Sequence, residues 1–385
     1  MIEINPSRDI KLKPMKKIVF LTSEDLLDVD LPVVKELNLT YKKEYLIIWI
    51  IILKGYGWYK KEELTSFCTQ NHIEYLIFEQ HRKLKNPLNI FFHLHILKTV
   101  KKLRPQLIYD SYLGVPYMHF FTGFFLKRKL FVMAIHDVEQ HYKMKNKAVR
   151  TFYYSFLMRT YLNFHIFSPH QLKIFNLHYP GKKTFCSPLF LKDFGPISPA
   201  NRLRHKKMTH FLFFGIIRPN KGLDLLIEAV NILGEKYTDF QVVIAGKCDN
   251  WSAYEELIKQ PDRFTCIIRN IEQAEIPELF AQAHYLVLPY RDVTQSGVLL
   301  TAYNYHIPVI ATALEGFTEY IKHAENGFLF ENGNVNDLVT QMENAINLKD
   351  DEYQISVEKL KCHIAKEISI EGISKKYVDF FDDLK

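Results

Sequence analysis

The chain has 385 residues, 48% hydrophobic and 24% charged, with a formal net charge of +7. At about 100–200 residues per domain that length suggests two domains, and so much apolar surface excludes disorder because its burial offsets chain entropy. Cys68, Cys186, Cys248, Cys266 and Cys362 form no C-x-x-C pair or histidine cluster, which excludes a zinc site or disulfide frame and reads as reduced thiols of a cytoplasmic protein.

The opening segment, MIEINPSRDIKLKPMKK, has no apolar centre and does not read as a signal peptide. Lys17–Thr22 predicts a strand and Leu31–Leu39 a helix. Tyr45–Leu53 is the longest apolar run. It falls far short of the ~20 residues a membrane-spanning helix needs, and its β-branched residues predict a buried strand over Leu46–Leu53. A helical stretch around Glu62–Asn71, a strand over Ile73–Phe78 and a helix over Asn89–Leu103, stopped by Pro105, come next. Strands follow at Leu107–Tyr109, Phe131–His136 and His165–Ser168. The apolar stretch Val115–Leu126, which contains His119, Thr122 and Gly123, is also too short to span a membrane.

Pro196–His205 is polar, basic and without apolar period, and reads as a linker. Beyond it the alternation restarts. Strands are predicted at His210–Gly215, Gln241–Ala245, Phe264–Ile268, Tyr285–Leu288 and Val309–Thr312. Helices are predicted at Leu223–Leu233, Ile276–Ala283 and Gly297–Tyr305, and again over Lys359–Lys385. The fold class is therefore α/β, with two doubly wound, Rossmann-like domains over residues 1–195 and 206–360 and a helical segment over 361–385. Ligands of open parallel sheets sit beyond the carboxyl ends of strands, so the loops after strands are the places to inspect. Two such domains facing each other would enclose a ligand cleft.

Charge is uneven. Residues 81–160 hold 15 Lys and Arg against Asp110, Asp137 and Glu139, with Phe91, Phe92, Phe152, Tyr153, Tyr154 and Phe156 interleaved. Such a face suits an anionic membrane surface or a lipid-phosphate acceptor, and less well a nucleic acid. It equally suits a solvated basic surface over an aromatic core.

Two constellations carry chemistry. In Phe213–Leu226 a strand runs into a glycine turn, then Arg218, Lys221 and Gly222 at a helix start. Free N–H groups and mobile cations there fit a diphosphate leaving group. In Pro289–Val298, Ser296 and Gly297 open a helix after a strand. Ser296 can cap it and Gly297 lets backbone N–H groups approach an anion. Taken separately, the first also fits cations that merely face water and the second a plain helix cap.

Together these segments resemble the C-terminal domain of glycosyltransferase family 4 enzymes of the GT-B fold. The matching text is FFGIIRPNKGLDLLIEA, VVIAG, IPELFAQAHYLVLPY, TQSGVLLTAYNYHIPVIAT, the Gly327–Phe330 turn and Asn336–Leu338, in order over about residues 208–347. The N-terminal half matches more weakly, through Pro105–Asp110, Ile135–Asp137 and Phe167–Ser168. The resemblance implies a retaining, metal-independent transferase with the donor in the C-terminal domain and no cofactor. Two departures stand out: Ile216 follows Gly215 where the family commonly has arginine, and Val293 and Thr301 stand where many members carry paired glutamates. This chain resembles a variant branch in which neutral contacts from Thr294, Gln295 and Ser296 replace charged ones.

The resemblance implies Arg218, Lys221 and His136 as catalytic residues. Donor contacts would come from Gly215, Thr294, Gln295, Ser296, Gly297, Val298, Thr301 and Glu319, although Glu319 also reads as a helix N-terminal charge. His136 ends an apolar strand, where Asp137 can orient it, and a lone histidine also fits a structural role. The segment Thr22–Asp30 replaces the family's glycine-rich first loop. Ser23 and its carboxylates fit acceptor hydroxyls or, more simply, a solvated acidic loop. The implied partners are a nucleoside-diphosphate sugar and a glycan or lipid-linked acceptor, in cell-surface polysaccharide synthesis. The missing glutamates keep open a degenerate, non-catalytic glycan-binding protein, and a nucleotide-sugar epimerase is a further alternative.

Overall fold

The structure, a computed structural model, describes residues 15–55, 59–82, 86–112, 116–136, 138, 147–198 and 208–384. Asp137 and most of the predicted linker lie outside them. Contacts divide the chain into two units, each built on one parallel sheet.

The first unit runs to Phe167, resumes over Gln171–Ser187 and takes in the chain from Ser374. Its strands are β1 (Lys16–Ser23), β2 (Tyr45–Leu53), β3 (Glu74–Glu79), β4 (Leu107–Asp110), β5 (Phe131–Ile135), β6 (Asn163–Ile166) and β7 (Lys183–Cys186). They lie in the order β3-β2-β1-β4-β5-β6-β7. The helices between them are α1 (Leu27–Thr40), α2 (Lys61–Gln70), α3 (Asn89–Leu103), α4 (Pro116–Phe125), α5 (Lys147–Thr160) and α6 (Pro169–His178). Every residue of β2 except Leu46 is buried, as a strand covered on both faces requires.

The second unit holds Ser168–His170 and Pro188–Ile373. Its strands are β8 (Thr209–Phe214), β9 (Phe240–Ala245), β10 (Phe264–Ile267), β11 (Tyr285–Leu288), β12 (Val309–Thr312) and β13 (Gly327–Phe330), in the order β10-β9-β8-β11-β12-β13. Its helices are α7 (Leu223–Leu233), α8 (Ser252–Glu255), α9 (Ile276–Ala281), α10 (Gly297–Asn304), α11 (Glu315–Thr318), α12 (Val335–Asn347) and α13 (Asp350–Glu367). The last helix, α14 (Ile370–Asp383), contributes mainly to the first unit. There the Tyr377 hydroxyl lies 3.2 Å from His165 Nδ1, which also meets the Tyr109 hydroxyl at 2.7 Å. Burial holds that imidazole far below its usual pKa, so it acts as a neutral acceptor.

Both sheets reverse direction at their first strand: β1 lies between β2 and β4, and β8 between β9 and β11. Loops diverge at such a switch point and leave a crevice. In the second unit those are the loops after β8 and β11, the two constellations singled out in the sequence.

Two expectations need correction. The Gly327–Phe330 turn is strand β13, paired in parallel with β12 from Val309↔Gly327 to Thr312↔Phe330. The segment Thr22–Asp30 is not a solvated acidic loop. Ser23 ends β1, Glu24–Leu26 form a 3-10 turn, and α1 begins at Leu27, four residues before its predicted start. Ser23, Glu24 and Asp30 are all buried. Glu24 accepts a hydrogen bond from the Lys54 N–H, and Thr22 and Ser111 both donate to Asp30 Oδ2. Burial pushes the Asp30 carboxyl up to about 7 despite those donors. Ser23 therefore offers no open hydroxyl to an acceptor.

Candidate functional site

The loop after β8 turns at Gly215, whose φ of 112° is left-handed. Arg218 is exposed, and Pro219–Lys221 form a short 3-10 turn before Gly222 opens α7. A Cβ on Gly222 would stand 1.8 Å from the Pro289 carbonyl oxygen, and its φ is 65°. Only glycine lets this loop press against the one after β11.

Arg291 ties the same two loops together. Its N–H donates to the Asn220 carbonyl (2.9 Å), and its guanidinium donates to the Pro219 carbonyl (2.9 Å) and to both carboxylate oxygens of Asp224. These partners hold the turn in place before any ligand arrives.

Lys221 is half-buried, contrary to the expectation of a cation at a helix start that buries little. Its Nζ lies 3.6 Å above the Tyr290 ring centre. Burial first, then the like charge of Arg218, lower its pKa to about 8, against an opposing pull from Asp292. No described carboxylate lies within ion-pair distance of Arg218 or Lys221.

In the loop after β11, Ser296 caps α10 as expected, its Oγ accepting the Leu299 N–H at 3.3 Å. It also hydrogen-bonds the Tyr290 hydroxyl. Gln295 Nε2 is buried without a hydrogen-bond partner among the described residues. Thr294 backs onto α11: a Cβ on Gly316 would stand 2.7 Å from its carbonyl oxygen. Val298 lies next to Gly215. Thr301 is buried and donates to the Gly297 carbonyl (2.9 Å), so it braces the first turn of α10 and does not offer a free hydroxyl. Lys192 was not singled out in the sequence, yet its ammonium packs against Gly297 at the N-terminus of α10.

Glu319 follows α11 as its C-cap, and its carboxylate sits at the N-terminus of a different helix, α6. It accepts the His170 N–H (2.9 Å) and a bond from Ser168, while burial raises its pKa. Its carboxylate is thus already occupied with Ser168 and the first turn of α6. In the first unit, His136 stands just past β5 and stacks on Phe167, with ring centres 4.0 Å apart.

The second unit thus gathers Arg218, Lys221, the N-terminus of α10 and the Gln295 amide around one sheet reversal. Residues 209–347 match the glycosyl transferases group 1 family. The fold is GT-B. A Rickettsia africae glycosyltransferase superposes with a TM-score of 0.73 at 17% identity, covering 97% of this chain and 99% of that one. Anabaena HepE, solved in complex with UDP and glucose, superposes with a TM-score of 0.70 at 16% identity, over 96% and 100%. An uncharacterized glycosyltransferase of Haemophilus influenzae is 24% identical over 150 residues, 39% of this chain and 42% of its own. A GDP-mannose:glycolipid 4-beta-D-mannosyltransferase of Xanthomonas campestris is 24% identical over 120 residues, 31% of this chain and 34% of its own. The alignments span less than half the length of these curated relatives.

Proposed function

We propose that this chain is a glycosyltransferase whose second unit holds a nucleoside-diphosphate sugar and passes the sugar to a hydroxyl of a glycan or lipid-linked acceptor. One observation carries the reading: two cations, Arg218 and Lys221, are held together at the sheet reversal with no described carboxylate within ion-pair distance, Asp292 acting on Lys221 only from farther off. A site that concentrates positive charge in this way is built for an anion, and a departing diphosphate is the anion a sugar transfer generates. The family match and the UDP and GDP-mannose named for similar proteins support the same donor class.

In the proposed reaction the bond from the anomeric carbon to the phosphate oxygen breaks as the acceptor oxygen bonds that carbon. The acceptor proton passes to the departing phosphate. If both events occur on one face of the sugar, configuration is retained and no covalent enzyme intermediate forms. Arg218 and Lys221 stabilise the leaving charge, the backbone N–H groups of Ser296–Val298 donate to phosphate oxygens, and Gln295 and Thr294 hold the sugar by neutral hydrogen bonds. His136 and Asp137 serve the acceptor. The reading assigns no metal or cofactor and sets the reaction in polysaccharide synthesis on the cytoplasmic side.

A panel of nucleotide sugars tests this by melting temperature and by transfer assay. A true donor stabilises the protein by mass action and is turned over. If no nucleoside-diphosphate sugar raises the melting temperature or is consumed, the reading fails.

A further inference from the structure

Helices α3, α4 and α5 contain no aspartate or glutamate. They make three successive crossovers in one direction along the sheet, from β3 to β4, β5 and β6. Right-handed crossovers of that kind place all three helices on one face. Contacts agree: Phe120 of α4 and Phe156 of α5 lie with ring centres 4.6 Å apart, and Lys101 of α3 stands 6.0 Å from the Phe125 ring of α4.

The outer surface of this face is unusual for a protein in water. Phe124 is 78% exposed, Phe152 67% and Phe91 66%. Phe120 stands partly exposed one helical turn before Phe124. Lys98, Lys101, Lys102 and Arg104 are exposed on and just after α3. The structure also changes which aromatics count. Tyr153 is buried, with its hydroxyl on His119, while Phe92, Tyr154 and Phe156 are partly buried. Phe124, not singled out in the sequence, is the most exposed aromatic of the set.

We propose that this face of α3, α4 and α5 docks on an anionic phospholipid bilayer. The charge argument is complementarity: a surface of cations whose three helices carry no acidic side chain is attracted to lipid phosphates. The apolar argument is depth: phenylalanines standing beyond the helices reach the acyl boundary, while lysines stay at the headgroups. No helix among the described residues is long and apolar enough to cross a membrane, so contact would be at the surface. The proposal does not depend on the donor reading, since every residue it uses lies in the first unit.

The test is co-sedimentation of the full chain with vesicles, pure phosphatidylcholine against phosphatidylcholine mixed with phosphatidylglycerol, at low and high salt. The chain should bind the anionic vesicles at low salt, leave them at high salt and ignore the neutral ones. Each basic residue near an anionic surface contributes about fivefold in partition, so K98E/K101E/K102E/R104E should weaken binding by more than about 100-fold. Removing two interfacial phenylalanines in F124S/F152S, with all charges kept, should weaken it by about tenfold or more. Both variants alter exposed side chains, and their melting temperatures check that the fold is intact. Equal recovery with neutral and anionic vesicles would overturn the proposal. So would wild-type binding by F124S/F152S, tighter binding to single-stranded DNA than to the anionic vesicles, or a chain dimer that F124S/F152S dissolves.

Discussion

The Lys221 ammonium rests 3.6 Å above the centre of the Tyr290 ring, and the Tyr290 hydroxyl bonds Ser296, the N-cap of α10. One aromatic side chain therefore links a cation of the loop after β8 to the helix start of the loop after β11. Tyr290 is 1% exposed, so the link is fixed from below.

Tyr290→Leu and Tyr290→Phe separate the ring from the hydroxyl. A desolvated cation–π contact is worth about 2 kcal/mol, so losing the ring should cost about tenfold or more in kcat/KM. Phenylalanine keeps the ring and should stay within a few-fold of wild type, with a stability loss of about 1 kcal/mol for the missing hydrogen bond. Equal activity losses in the two variants would assign the effect to the hydroxyl.

Lys221 should make the reaction pH-dependent. Its pKa is lowered to about 8, with Arg218 and Asp292 as the charged groups facing it. Only the ammonium form stabilises a departing phosphate. Donor kcat/KM, which reports the free enzyme, should fall about tenfold per pH unit above about pH 8. Lys221→Arg should remove that fall, because arginine stays charged. The same shift acts on stability with a definite sign. Between about 8 and the ordinary value of 10.5 the folded state binds fewer protons than the unfolded one, so stability should rise with pH across that window. A flat rate profile in the wild type would remove Lys221 as the titrating group.

Gly222→Ala should be severe. Its Cβ would meet the Pro289 carbonyl oxygen at 1.8 Å, at a φ of 65°. The left-handed backbone alone costs about 1–2 kcal/mol, and the clash must also force the two loops apart. Urea denaturation should show a loss of more than about 2 kcal/mol, with weakened donor binding. A wild-type midpoint would show that the loops separate without cost.

Activity should persist in EDTA. In the proposed reaction two side-chain cations and a helix N-terminus take the role that a divalent ion plays in other phosphate chemistry. Complete loss that Mg²⁺ or Mn²⁺ reverses would contradict this account of the site.

Much of this architecture is legible in the sequence for physical reasons. The predicted limits of α3, α7, β11 and β12 coincide with the observed ones because periodicity or β-branched runs end at clear breakers such as Pro105 and Gly234. Helix α4 is not legible as a helix, since PYMHFFTGFF is apolar on nearly every side and gives no helical period. Strand β13 is four residues long and opens with glycine, too little for a strand signal. The placement of Arg218, Lys221, Ser296 and Gly297 in strand-to-helix turns was legible because each turn follows a short apolar strand. Tyr290, Arg291 and Lys192 could not: Lys221 and Tyr290 are far apart in the chain, and only the sheet reversal brings their loops together. The buried cluster of Asp30, Thr22 and Ser111 was hidden for the same reason, because an acidic run looks solvated until the fold encloses it.

The most direct test of the central claim is donor turnover by Lys221→Ala, measured with the nucleotide sugar that most raises the melting temperature. Loss of one preorganised contact to the leaving charge should lower kcat/KM by about 100-fold or more. The melting temperature without donor checks that the fold survives loss of the Lys221 contact with the Tyr290 ring. Wild-type turnover in Lys221→Ala would contradict the assignment of the diphosphate to this loop.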